Sequence, residues 1–439
     1  MAKDNKFRIE KDTLGQVKVP MEAYYGAFTS RALNNFQISN LRAQPIFRKS
    51  LGLIKKSAAE ANISLNQLDK RLGQAIIQAS QEFLEGKFDT EFRLDVIQAG
   101  AGTPFNMNAN EIIANRANTL LKGTKGSNKP VHPNNHVNLG QSSNDVIPSV
   151  TKLAALQTLP SLLERIKKLE QSLEKKSKEF KTIQKVGRTH LQDAVTITLG
   201  QEFDAYRAGV ARSRKQIERN SEDLYELSLG GTAIGTGFNC HSQFKKTVIT
   251  ILSKLTKLNL KSPENLTETA NNYSPFADFS NSITTLASNL FRMSQDLKLL
   301  SSGPHAGLNE INLPEVQPGS SIMPGKINPS ILEAVEMAFY KISGNNETIR
   351  LASMHGQLNL NTNCPIIMFS LLETMDILGN TLDTLRTRCI DGIEANKKHI
   401  KEVYESSLCE TVALVPKLGY DKVAEMVRKN VLKKKKDSK

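Results

Sequence analysis

LAALQTLPSLLERIKKLEQSL, from Leu153 to Leu173, places apolar residues at 153, 156, 159, 162, 166, 169 and 173, with Lys and Glu between them. Steps of three and four put these side chains on one face of an α-helix. The same rhythm returns at Ile283, Leu286, Leu290, Met293 and Leu297, and again at Phe369, Leu372, Met375, Leu378, Leu382 and Leu385. Such stripes are core seams of packed helices, not cofactor boxes. Pro160 predicts that the first of these helices begins there or is kinked there. Aromatic residues make up 6% of the chain and Trp is absent, so the core must rest on Leu, Ile, Ala and Val. That suits helices better than a β-sandwich, and the expected fold class is all-α.

The 439 residues suffice for two or three domains. With 39% hydrophobic and 23% charged residues, the composition is that of a soluble globular protein. The formal charge of +14 raises nucleic acid, an anionic surface or anionic substrates as partners. The excess is diffuse apart from Lys433–Lys436, and no aromatics interleave with that run. It reads as a solvated tail, so no nucleic-acid partner is expected. Cys240, Cys364, Cys389 and Cys409 lie far apart without a CxxC pair, which argues against disulfides and structural zinc and for a reducing cytoplasm. The N-terminal MAKDNKFRIEKD is charged from its third residue and is not a signal peptide. No continuous apolar run approaches the ~18 residues that span a bilayer, so no membrane partner is expected.

Four segments rich in Gly, Pro, Asn and Ser interrupt the helical pattern: Gln98–Asn110, His132–Asp145, Gly187–Asp193 and Gly303–Ser330. They read as loops that place hydroxyls and amides at helix ends, where sites tend to form. The densest chemistry is GSSIMPGKINP, Gly319–Pro329. Its glycines and prolines make a loop, and nothing structural requires Ser320, Ser321, Lys326 and Asn328 together. The physical reading is an anion site, with Lys326 supplying charge and Asn328 and backbone amides supplying donors to a carboxylate. The bland alternative is an ordinary connector.

This loop resembles the hallmark of the fumarase/aspartase superfamily, GSSxMPxKxN, at every fixed position. The resemblance runs from about Arg8 to about Glu425 and takes in all four loops. Gly187-Arg188-Thr189-His190-Leu191-Gln192-Asp193 and Gln141-Ser142-Ser143-Asn144-Asp145 are most similar to fumarases and aspartases. The superfamily also includes argininosuccinate lyase, adenylosuccinate lyase and cycloisomerases.

The resemblance implies elimination of a small polar group from a four-carbon dicarboxylate to give fumarate. Removing a proton α to a carboxylate leaves a dianionic aci-carboxylate, so a base and a nest of donors are required. Ser320 aligns with the family's base, an alkoxide whose pKa must be lowered by loop amides and by Lys326. Thr103, Ser142, Ser143 and Ser321 align with groups around the substrate or the aci-carboxylate. Thr189, Lys326 and Asn328 align with contacts to the other carboxylate, and Asn144 and His190 with contacts to the leaving group. In fumarases this His pairs with a Glu, and Glu333 stands at the family's spacing after Ser320. Ser330-Ile331-Leu332-Glu333 also reads as a capping box, a purely structural role.

His132 and His136 have i,i+4 spacing, but Pro133, Asn134 and Asn135 between them argue against a helical metal pair. In fumarases a His of this segment is linked to a secondary anion site. Gly230–Gly237 superficially resembles a dinucleotide loop but lacks a βαβ frame, so no dinucleotide is expected. The resemblance implies no metal and no organic cofactor.

Two leaving groups stay open. Ser143, HPNNHVNLGQSSNDVIP (132–148) and Leu229-Gly230-Gly231-Thr232-Ala233 are fumarase-like and point to water leaving malate. Ala101 stands where fumarases carry a Ser. Tyr24-Tyr25-Gly26, Gly307-Leu308-Asn309-Glu310 and Gly356–Asn361 lean to aspartase, with ammonia leaving aspartate. The substrate-loop residue Ser143 is weighted most, which favours fumarate hydratase over aspartate ammonia-lyase. The resemblance further implies a homotetramer with shared sites and three domains: 1–140, a central long-helix bundle at 141–396, and 397–439. The last is expected to be shortened, because relatives continue for several more helical turns.

Overall fold

The computed structural model describes residues 6–437, and side chains from 430 onward lie outside that description. The side chains of the Lys433–Lys436 run therefore fall outside the described set, as do residues 1–5 of the N-terminal segment. In chain order the elements begin with a hairpin, β1 (Phe7–Asp12) and β2 (Gly15–Pro20). The helices α1 (Ala27–Asn35), α2 (Pro45–Ser64), α3 (Lys70–Leu84), α4 (Thr103–Leu120) and α5 (Ser143–Glu179) follow. A second hairpin, β3 (Gln184–Thr189) and β4 (Gln192–Thr198), leads into α6 (Leu199–Asn220), α7 (Phe244–Thr256), α8 (Leu266–Asn271) and α9 (Ser274–Leu300). The chain continues through β5 (Ile311–Asn312), α10 (Ser330–Ser353), α11 (Cys364–Arg388) and β6 (Glu394–Ala395). It ends with α12 (Lys397–Ser406), α13 (Val415–Leu418) and α14 (Tyr420–Asp437). The architecture is helical, with three two-stranded ribbons among the described residues.

Two compact units interleave in sequence. The first holds the chain up to Leu162, Gln216–Thr284 and Lys341–Ile377, and the second Leu163–Lys215, Thr285–Tyr340 and the chain from Leu378. In the first, α2 packs on α3 and α4 around Phe47, Phe83, Phe92 and Phe105, whose neighbouring rings lie 5.4 to 6.5 Å apart. In the second, Phe180, Phe203 and Tyr206 stack edge to face.

All seven apolar residues of the Leu153–Leu173 stripe are buried, as are Ile283, Leu286, Leu290, Met293 and Leu297. The third stripe is buried from Leu372 to Leu385, with Phe369 half-buried. The expected start at Pro160 is corrected: α5 begins at Ser143 and carries both Pro148 and Pro160 inside. Burial of Leu156, Leu159 and Leu162 on either side offsets the hydrogen bond that Pro160 cannot make. By length and composition α5 could cross a membrane, but 72% of its apolar window is buried within the protein, as in a core helix.

The loops are shorter than expected. Positive φ at Ala101 (57°) and Gly102 (68°) breaks the chain just before Thr103, so α4 starts there with Pro104 in its first turn. Gly187–Asp193 is a hairpin, because the ladder pairs Thr189 with Gln192. His132–Asp145 contains a π-turn at Pro133–Val137 and the first turn of α5.

Candidate active site

The predicted residues fall into three groups. In the first unit, Thr103 opens α4 and Ser143 opens α5, and their hydroxyls meet at 2.8 Å. Ser142 caps α5: its Oγ accepts from the Asn144 N–H at 3.2 Å, while Asp145 Oδ1 accepts from the Ser142 N–H at 2.9 Å. Asp145 Oδ2 also accepts from the N–H groups of Gly230 at 3.1 Å and Thr232 at 2.9 Å. The Asn144 amide donates to the Ala233 carbonyl at 2.7 Å. One buried carboxylate thus ties the Ser142–Asn144 turn to the Gly230 loop, whose φ is positive at Gly230, Thr232, Gly235 and Gly237.

Beneath the turn lies Lys55, fully buried on α2, with its ammonium on Asn138 Oδ1 at 3.0 Å and Gln141 Oε1 at 2.9 Å. Burial pushes the Asp145 carboxyl up and the Lys55 ammonium down, and the charge each feels from the other opposes the shift. Neither residue was singled out from sequence. The only available signal for Asp145 was its place in Gln141–Asp145.

The second group, Thr189 and His190, sits at the exposed tip of the β3–β4 hairpin. His190 (φ 54°) and Leu191 (φ 59°) form its two-residue turn, a conformation that normally selects Asn-Gly. Strained backbone of this kind persists only where the surroundings over-determine it.

The third group lies in the Gly319–Pro329 loop. Ser320 Oγ accepts from the N–H groups of Ile322 at 3.2 Å and Met323 at 3.0 Å. The loop is pinched at its base: the Gly319 N–H donates to the Lys326 carbonyl at 2.8 Å, and the Asn328 amide to the Gly319 carbonyl at 2.7 Å. A Cβ on Gly319 would stand 2.6 Å from the Lys326 carbonyl oxygen, so only glycine fits. Ser320, Met323 and Lys326 line a cavity of about 430 Å³. Ser321 and Lys326 are exposed, and no ion pair engages Lys326 among the described residues.

Glu333 is exposed on the first turn of α10, and no hydrogen bond joins it to His190 among the described residues. The expected capping box is corrected. The Ser330 hydroxyl donates to the Asn328 carbonyl at 3.3 Å and the Glu333 N–H to the Pro329 carbonyl at 3.2 Å, because Pro329 already begins the helical turn. The Nδ1 atoms of His132 and His136 both accept backbone N–H groups: His132 those of Asn134 and Asn135, and His136 that of His132 at 2.8 Å. They act as caps on the π-turn.

Residues 15–344 match the lyase family. The chain is 43% identical to an aspartate ammonia-lyase from Bacillus sp, covering 97% of this chain and 91% of the relative. It is also 43% identical to a class II fumarate hydratase from Brucella suis biovar 1, covering 96% and 91%. Among solved structures, a class II fumarase from Schistosoma mansoni superposes with a TM-score of 0.94 at 37% identity, covering 96% of this chain and 92% of that one. The chain belongs to the lyase family, within the fumarase/aspartase superfamily. Its helical fold is the fold of that superfamily. Overall identity does not separate hydratase from ammonia-lyase.

Proposed function

We propose that this chain is a class II fumarate hydratase, eliminating water from malate in an anti sense to give fumarate, with Ser320 as the base. The observation that carries this reading is the pair of loop amides already aimed at Ser320 Oγ. Hydrogen bonds to the charged form of a group favour that form, so the two N–H groups and the charge of Lys326 stabilise an alkoxide. The alkoxide takes the proton from carbon and becomes a neutral hydroxyl. The electron pair left on the aci-carboxylate then forms the double bond as the hydroxyl on the adjacent carbon takes up a proton from solvent and departs as water. Ser142, Ser143, Ser321 and Thr103 hold the dicarboxylate and its aci-form. Thr189, Lys326 and Asn328 take the second carboxylate, and Asn144 and His190, with Glu333 behind it, face the leaving group.

Neutral hydroxyls and an amide surround Ser143, which suits a hydroxyl leaving group. The nearest carboxylate in that turn, Asp145, is buried and engaged by three amides, so it is not offered to an ammonium group. Ala101 supports the second reading, an aspartate ammonia-lyase, because it presents no hydroxyl beside Thr103.

The same reading makes the enzyme a cytoplasmic homotetramer built on domains 1–140, 141–396 and 397–439, each site drawing its loops from three subunits. Exposed Met337, Tyr340 and Leu351 on α10 support assembly, since Met337 and Leu351 stand two heptads apart along one helix face. Fumarate absorbs in the near ultraviolet, so malate and aspartate offered separately to the purified protein decide the leaving group. Absorbance rising with malate alone is the expected result. A rise with aspartate alone selects the ammonia-lyase, and a rise with neither removes the assignment.

A further inference from the structure

Behind the hairpin that carries Thr189 and His190 lies a buried charge cluster. Lys185 and Glu310 have side chains only 1% and 2% exposed. The Lys185 ammonium sits 2.6 Å from Glu310 Oε2 and 2.7 Å from Glu202 Oε2, and the Arg188 guanidinium donates to Glu310 Oε1 at 2.7 Å. A regular strand sends residues 185 and 188 to opposite faces. Here the ladder slips between Val186 and Arg188, and across that irregularity both cations reach one carboxylate. Gly187 stands at the slip, where a Cβ would lie 2.6 Å from the Val195 carbonyl oxygen.

Glu310 is itself fixed from both sides. Its N–H donates to the Leu300 carbonyl at 2.8 Å, its carbonyl accepts from the Asn396 N–H at 2.9 Å, and it leads directly into β5. Downstream of β5 the same segment becomes the Ser320 loop.

We infer that Glu310, gripping Arg188 and Lys185, is the positioning residue for the hairpin tip that carries Thr189 and His190. Rigid charge pairing at the foot of the hairpin holds the two positive-φ residues at its tip in a geometry that their own preferences oppose. This inference rests on the reading of His190 and Thr189 as substrate contacts. Arg188 and Glu310 need touch no substrate; they act through His190.

The test uses the full-length protein and whichever substrate the wild type converts. Arg188→Lys keeps the charge but loses the rigid fork, and Glu310→Gln keeps a hydrogen-bonding group but loses the charge. Lys185 retains Glu202 in both variants, so its buried ammonium keeps a carboxylate partner. Each is expected to lower kcat tenfold or more, with circular dichroism and sedimentation unchanged. The decisive comparison is with His190→Asn. If Arg188 acts through His190, adding Arg188→Lys to His190→Asn changes kcat by less than twofold. Losses that multiply in the double variant overturn the inference, as do single variants with wild-type turnover. Should Glu310→Gln fail to fold, the Arg188→Lys cycle decides alone. A wild type that converts neither malate nor aspartate overturns the parent reading and this one together, a result plainly different from an active enzyme indifferent to Arg188.

Discussion

A serine hydroxyl serves as a base only where its alkoxide is held more tightly than its alcohol. The proposed base, Ser320, accepts two loop amides at its Oγ. Ser320→Ala is expected to lower kcat by ~10²–10⁴-fold, the range of a positioned acid–base group. Circular dichroism and sedimentation should stay as in the wild type. Near-normal fumarate formation by that variant excludes Ser320 as the base. Asp145 is the opposite kind of residue. Its buried carboxylate accepts three backbone N–H groups, so Asp145→Ala strands all three and is expected to cost about 3 kcal/mol or more. A lowered urea midpoint with an unchanged slope checks this; an unchanged midpoint refutes it. The loop that holds Ser320 was legible in the sequence because its polar groups fit within eleven consecutive positions and bond to one another. Asp145 was not, since its partners at Gly230 and Thr232 lie 85 and 87 residues away.

Elements divide in the same way. The three stripes were legible because helical periodicity survives in any helix with one buried face. Helix ends were less so. Pro160 reads as a start only if its lost hydrogen bond outweighs the buried leucines around it, and α5 shows that it does not. Ser330 reads as a cap, but Pro329 takes that place. The π-turn at Pro133–Val137 carries a pH dependence with a definite sign. Burial holds both imidazoles below the ordinary histidine value, and His132 adds to the effect on His136. A folded pKa below the unfolded one means the unfolded chain takes up protons first on acidification. The contribution to stability is therefore complete above about pH 6.5 and is lost as pH falls through the lowered folded values. Protonation also turns each Nδ1 from an acceptor into a donor facing a backbone N–H. Melting temperature should fall below pH 6.5 more steeply in the wild type than in His136→Gln, whose amide oxygen can accept the same N–H without titrating. Parallel pH curves for the two proteins rule this out.

At the scale of the whole molecule, the proposed homotetramer raises the question of which subunits supply one site. Thr103, Ser142, Ser143 and Asn144 belong to the first compact unit, whereas Thr189, His190, Ser320 and Lys326 belong to the second. Closed oligomers repeat the same surfaces on every copy, so a site shared among subunits can combine a good loop from one with a good loop from another. Ser320→Ala and His190→Asn should each abolish most turnover. If their parent loops reach a common site from different subunits, unfolding the two variants together at equal amounts and refolding them regenerates intact sites. Random assembly gives about a quarter of the wild-type number, because each of two independent positions is sound half the time. If Ser320 and His190 of one chain serve the same site, mixing restores nothing, since every chain then carries a lesion in its own site. Turnover after co-refolding, set against each variant refolded alone, measures the difference directly. Recovery near a quarter supports Ser320 and His190 reaching one site from different subunits, and recovery at the level of the separate variants sinks that arrangement.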